Sequence, residues 1–184
     1  VGALDRFPNS SRLWQNRGAL FTKWWKYDGA IAFFLRALER EPNARGPLFD
    51  LALVYDHADS YAEAVKWYCK YLDKRPDSAQ AHNNLANCYR QLRNLERARH
   101  HYEMSLNADP THEPALFSYA AVLYEQREFD RALSLIDQFI ALSPNDTEAQ
   151  WLRAEILRRP AQPQQIAHQE LRNKPAAIIR GSPT

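Results

Sequence analysis

Six histidines and two cysteines are the side chains of this sequence best suited to catalysis or metal binding, and their spacing gathers none of them into a site. His100 and His101 are adjacent, so on a helix they point about 100° apart, and His112 lies beyond Pro110 in a turn. A solvated face is the expectation for them. Cys69 and Cys88 stand nineteen positions apart, which is neither a disulfide framework nor a zinc spacing. Cys88 shares its 34-residue column with Leu20, Val54, Val122 and Ile156 and reads as a small core residue. Cys69, aligned with Leu35, Glu103 and Asp137, reads as half exposed. Five glycines form no phosphate-cradling loop and no nucleophile elbow. The sequons Asn9-Ser10-Ser11 and Asn145-Asp146-Thr147 fall where turns are wanted anyway. The reading is not an enzyme, with no catalytic residue, no metal and no cofactor.

Composition narrows the class further. The chain has 184 residues, 45% hydrophobic, 12% aromatic and 25% charged, enough for a folded domain with a sizeable core. It has no run of the roughly 18 apolar residues that a spanning helix needs. Two cysteines make a reducing, cytoplasmic setting the expected localisation. With 24 basic and 22 acidic residues the net charge is +2, too balanced for a nucleic-acid footprint, which makes nucleic acid an unlikely partner. The basic excess sits at one end, where Arg158, Arg159, Arg172, Lys174 and Arg180 face one acid, Glu170.

The elements that must position any site follow from a comb of prolines. Pro8, Pro42, Pro76, Pro110 and Pro144 stand 34 residues apart. At that period alanine recurs at Ala30, Ala64, Ala98 and Ala132. Small residues recur at Gly18, Ala52, Ala86, Ala120 and Ala154, and large ones at Phe21, Tyr55, Tyr89, Leu123 and Leu157. Within each unit apolar residues fall three and four apart, as in Ala81-Leu85-Cys88-Tyr89 and Leu95-Ala98-Tyr102-Leu106, which predicts two amphipathic helices. Small side chains let the two backbones approach, and proline closes the second helix. The following Asn43, Asp77, Thr111 or Asn145 suits a turn or the next N-cap. One hairpin cannot bury its own apolar face, so neighbours must stack.

These residues resemble the tetratricopeptide repeat family. Its pattern of W-x2-L-G-x2-Y, A-x3-F and P is matched by Trp14, Gly18, Phe21, Ala30, Phe34 and Pro42, with Arg17 departing at the leucine position. Leu51, Ala52, Tyr55, Ala64, Tyr68 and Pro76 repeat it. So do Leu85, Ala86, Tyr89, Ala98, Tyr102 and Pro110, then Tyr119, Ala120, Ala132, Ile136 and Pro144. The resemblance implies an all-α, right-handed α-solenoid of helix-turn-helix repeats, about four full and a fifth partial. The units are 11–44, 45–78, 79–112, 113–146 and a partial 147–159. Residues 1–10 read as the end of a preceding repeat helix, with upstream repeats removed, and 160–184 as a degenerate capping helix and tail.

The resemblance also implies a concave groove lined by the first helix of each pair, which holds a peptide or partner subunit. Carried over by position, the groove set is Phe49, Leu53, Asn83, Asn84, Asn87, Arg90, Phe117, Tyr124 and Trp151. Members of the family that grip an acidic chaperone tail use lysines, arginines and asparagines. Here Gln15, Ala19, Phe49, Asp50, Pro114 and Ser118 occupy those places and only Asn84 fits, which argues against such a clamp. The expected ligand is an extended peptide whose main chain bonds the asparagines, since an amide both donates and accepts. With first helices about 10 Å apart, Phe49 and Phe117 lie roughly 20 Å apart, two anchors for its apolar side chains. The competing reading is that they pack against adjoining first helices or the chain's own tail. The reading is a non-catalytic interaction scaffold, a segment of a larger assembly protein. The alternatives are a nucleic-acid-binding adaptor through the basic end, or the substrate-presenting arm of an enzyme whose catalytic domain is absent. At the bend of the first unit, Trp24 and Trp25 stand where the family often has glycine. One is expected to pack inward and the other to mark a contact surface.

Overall fold

A computed structural model describes residues 11–158, and the readings for 1–10 and 159–184 lie outside that span. Among the described residues there are nine helices and no strands. They are α1 (Ser11–Lys23), α2 (Tyr27–Arg40), α3 (Arg45–His57), α4 (Tyr61–Leu72), α5 (Ala79–Gln91), α6 (Leu95–Ala108), α7 (Glu113–Glu125), α8 (Phe129–Leu142) and α9 (Thr147–Arg158). The architecture is an all-α solenoid of helical hairpins, and its packing is local: each helix lies against its chain neighbours, and first helices touch the next first helix.

The small-residue columns do what their size demands. Ala30, Ala64, Ala98 and Ala132 are fully buried, as are Ala52, Ala86 and Ala120. At Gly18 a Cβ would stand 2.6 Å from the Phe34 ring, so the first hairpin needs glycine where the later ones carry alanine. The aromatic columns fill the space beside them, with Phe34, Tyr68 and Tyr102 at most 1% exposed. Tyr55, Trp67 and Tyr71 pack against both buried clusters, which makes the core continuous along the stack.

Every turn from a first to a second helix is built alike. Trp25, Asp59, Arg93 and Arg127 have φ of 59°, 54°, 59° and 65°, in the left-handed region. The next N–H then reaches back to the carbonyl five residues earlier, from Lys26, Ser60, Asn94 and Glu128 to Phe21, Tyr55, Tyr89 and Leu123. This is the Schellman closure, here made without glycine. The turns between hairpins differ. The caps of α5 and α9 are Ser78 and Asp146, whose side chains accept from Ala81 N at 3.3 Å and Ala149 N at 2.8 Å. The N-cap therefore falls one residue later than the post-proline position, and Asp77 and Asn145 belong to the turn.

Candidate functional site

The first helices carry the candidate set, and its centre is a hydrogen-bonded row of amides on α5. Asn83 Nδ2 donates to Asn84 Oδ1 at 3.3 Å, and Asn84 Nδ2 donates to the Tyr68 hydroxyl at 3.2 Å. One turn on, the Tyr102 hydroxyl donates to Asn87 Oδ1 at 2.6 Å. Much of the amide capacity is thus spent inside the protein. Asn83, 4% exposed, keeps an Oδ1 with no partner, and Asn87 keeps its Nδ2 donors. Burial raises the Tyr68 and Tyr102 hydroxyls, the latter to about 12 with Arg90 opposing, so both stay protonated, Tyr68 accepting from Asn84 and Tyr102 donating to Asn87.

Aromatic residues flank this row. The Phe49 ring meets Tyr68 edge-on at 5.8 Å and tilts against Tyr71 at 5.1 Å, both on α4 of its own hairpin. Phe117 meets Phe139 of α8 in the same way, at 5.5 Å. Both rings meet aromatic rings of their own second helices and keep one partly open side. Phe117 also lines a cavity of about 300 Å³ with Pro114, Ser118 and Phe139, rimmed by Glu113, Asp146 and Glu148. Leu53, Arg90 and Tyr124 are half-buried, and Tyr124 meets Phe129 edge-on at 5.9 Å. Trp151 is 61% exposed at the far end.

The α3 part of the face is acidic in a way the amides are not. Gln15 Nε2 donates to Asp50 Oδ2 at 2.7 Å. Burial raises the Asp50 carboxyl, and the Gln15 bond only partly offsets it. Asp56 is raised by the same cause, and its hydrogen bond with the Cys88 thiol opposes the shift. Cys88 itself is fully buried and its thiol is pushed up, first by burial and then by Asp56, so it remains a protonated core residue. Cys69 is exposed.

Of the histidines expected on a solvated face, His100 is exposed but His101 and His112 are half-buried. His101 is half-buried, stacked on Tyr89 at 5.5 Å, and its Nδ1 lies 3.1 Å from Nδ1 of His82. His82, on α5, is 6% exposed, and its Nε2 lies 3.0 Å from the Pro76 carbonyl. A carbonyl can only accept, so Nε2 carries the proton and Nδ1 accepts from His101. Burial lowers His101 to about 4 and also lowers His82. Pairing across nineteen positions depends on how α5 meets α6, which spacing along one helix does not show. No group of three or more metal-ligating side chains gathers among the described residues. Trp24 and Trp25 depart from expectation too, since both are exposed, at 61% and 77%.

Comparison with known proteins places this geometry. Residues 79–112 match one family profile described as Tetratricopeptide repeat, and residues 25–78 and 120–164 match a second of the same description. The chain is 30% identical over 131 residues to "BBSome complex member BBS4" of Xenopus tropicalis, covering 71% of this chain and 25% of that protein. It is 30% identical over 88 residues to "Hsp70-Hsp90 organizing protein 1" of Glycine max, covering 48% of this chain and 15% of that one. The chain therefore spans a quarter or less of the length of these relatives. Among solved structures, MamA 41-end from Desulfovibrio magneticus RS-1 superposes with a TM-score of 0.75 at 15% identity, over 88% of this chain and 92% of that one. YrrB, "a TPR protein with an unusual peptide-binding site", superposes with a TM-score of 0.71 at 18% identity, over 92% and 83%. The profiles cover most of the sequence, and the chain belongs to the tetratricopeptide repeat family.

Proposed function

We propose that this chain is a non-catalytic protein–protein interaction scaffold that holds a peptide or a partner subunit against its first-helix face, within a larger assembly protein. Its relatives support the class: BBS4 is a member of a complex, the Hsp70-Hsp90 organizing protein brings chaperones together, and YrrB has a peptide-binding site. The observation that carries the reading is the cavity beside Phe117, apolar at Pro114, Phe117 and Phe139 and open among the carboxylates of Glu113, Asp146 and Glu148. It has the form of a receptor for one apolar side chain of an extended ligand. Asn87, whose Oδ1 is taken by Tyr102, then offers its Nδ2 to the ligand's main chain, while the unpartnered Asn83 Oδ1 lies buried beneath it. An acidic tail is disfavoured, because the Asp50 carboxylate stands where a clamp asparagine would be and its partner is the neutral amide of Gln15.

Panning a random peptide library against the whole chain tests this reading. Peptides enriched on the native protein should bind the Phe49→Ala/Phe117→Ala variant at least tenfold more weakly, while its circular dichroism stays helical. Equal affinity for the two proteins removes this face from consideration.

A further inference from the structure

The turn between α1 and α2 shares the backbone of its three successors but carries a different surface. Its left-handed position holds Trp25 where the later turns hold Asp59, Arg93 and Arg127. All four turns hold a non-glycine residue at positive φ, so what sets this one apart is the side chain, a large indole where the others carry charged groups. The neighbouring Trp24 stands where the others have Ala58, Leu92 and Gln126. Both indoles lie open, at 61% and 77%, although Trp24 has Phe21 within 6.5 Å and Trp25 has Tyr27 within 6.1 Å.

Along the chain up to the tip the charge is one-sided. From Ser11 to Tyr27 the chain carries Arg12, Arg17, Lys23 and Lys26 and no carboxylate, the first being Asp28. None of these four cations forms an ion pair with a described carboxylate. Lys23 and Lys26 are exposed on either side of the two indoles, and Lys26 Nζ lies 5.9 Å from the Trp24 ring. A two-residue tip offers no cleft for a side chain. It offers two amphipathic rings whose apolar bodies suit acyl chains and whose N–H groups suit a carbonyl layer, with ammonium groups beside them for phosphate.

We propose that the Lys23-Trp24-Trp25-Lys26 tip docks the solenoid on an anionic lipid surface, with the indoles entering the headgroup layer and the lysines meeting lipid phosphates. This contact is separate from the first-helix groove, which faces a protein ligand.

Sedimentation of the full chain with vesicles tests it. The native protein is expected to pellet with equimolar phosphatidylcholine and phosphatidylserine, to stay in solution with phosphatidylcholine alone, and to be released as salt rises. At about 1 kcal/mol for each surface cation, Lys23→Gln/Lys26→Gln should weaken binding roughly thirtyfold. Trp24→Ser/Trp25→Asn should lose it altogether, and asparagine tolerates the left-handed conformation, so that variant keeps its turn. If the Trp variant nevertheless loses its helical spectrum, the lysine variant carries the test alone. Failure of the native chain to pellet with the anionic vesicles overturns the proposal. So does equal binding by a folded Trp variant, or a concentration-dependent dimer that this variant abolishes while neither protein binds vesicles.

Discussion

The first hairpin, α1 with α2, and the third, α5 with α6, share one period and use it differently. In the third, polar groups are buried and paired across the two helices: Asn87 with Tyr102, His82 with His101, and Ser105 Oγ with the Ala79 carbonyl at 2.8 Å. The first packs a phenylalanine onto a glycine and leaves its turn aromatic and open. A repeat thus constrains the apolar spine closely and leaves the turn tips and polar contacts free to diverge.

The sharpest way to break that contrast is at the small-residue column. Gly18→Ala should cost about 2–3 kcal/mol, because its Cβ would meet the Phe34 ring and the packing must shift. Adding Phe34→Leu should recover part of that loss in urea unfolding. The matching change in the third hairpin, Ala86→Gly, should cost about 1–2 kcal/mol, through helix propensity and the lost contacts of a buried methyl.

Acid should act on the third hairpin and spare the first. The unfolded chain protonates its histidines near the ordinary value, whereas His101 in the folded protein waits until about 4, with His82, His100 and Arg97 adding to the effect of burial. The unfolded state therefore binds more protons in between, so stability is fully present above about pH 6.5 and falls as pH drops toward 4. A loss of about 1–2 kcal/mol is expected once the open part of the ring is discounted. Melting curves at about pH 7.5 and about pH 5, either side of the ordinary histidine value, should show it, and His101→Gln should flatten the difference. An unchanged slope in that variant would place the acid sensitivity elsewhere.

Smaller effects refine the comparison. Tyr102→Phe should cost about 1 kcal/mol by leaving Asn87 Oδ1 without its donor. Trp25→Gly should raise stability by about 0.5–1 kcal/mol through relief of the left-handed strain. A lower melting temperature for Trp25→Gly would mean that the indole supports the fold after all.

The fold was legible because it rests on residue size at fixed spacing. Gly18, Ala52, Ala86 and Ala120 with their large apolar partners specify hairpins whatever the surface carries. The placement of Cys88 in the core followed from the same column. The site was legible only as a list of positions. That Asn84 spends its amide on Tyr68, or that Asp50 accepts from Gln15, depends on contacts between helices sixteen and thirty-five positions apart. Side-chain reach across a stack has no period of its own. The same holds for His82 and His101, and for a tip such as Trp24-Trp25, whose exposure depends on which neighbours come close.

The row of local contacts also bears on how damage spreads. Each hairpin leans on the one before and the one after, so a weakened α1–α2 pair can melt while α5 to α8 stay folded, in the manner of a zipper opened from one end. Amide exchange should then be graded along the chain, fastest near α1 and slowest around Tyr102, and a binding face centred on α5 would outlast the fraying of the first pair.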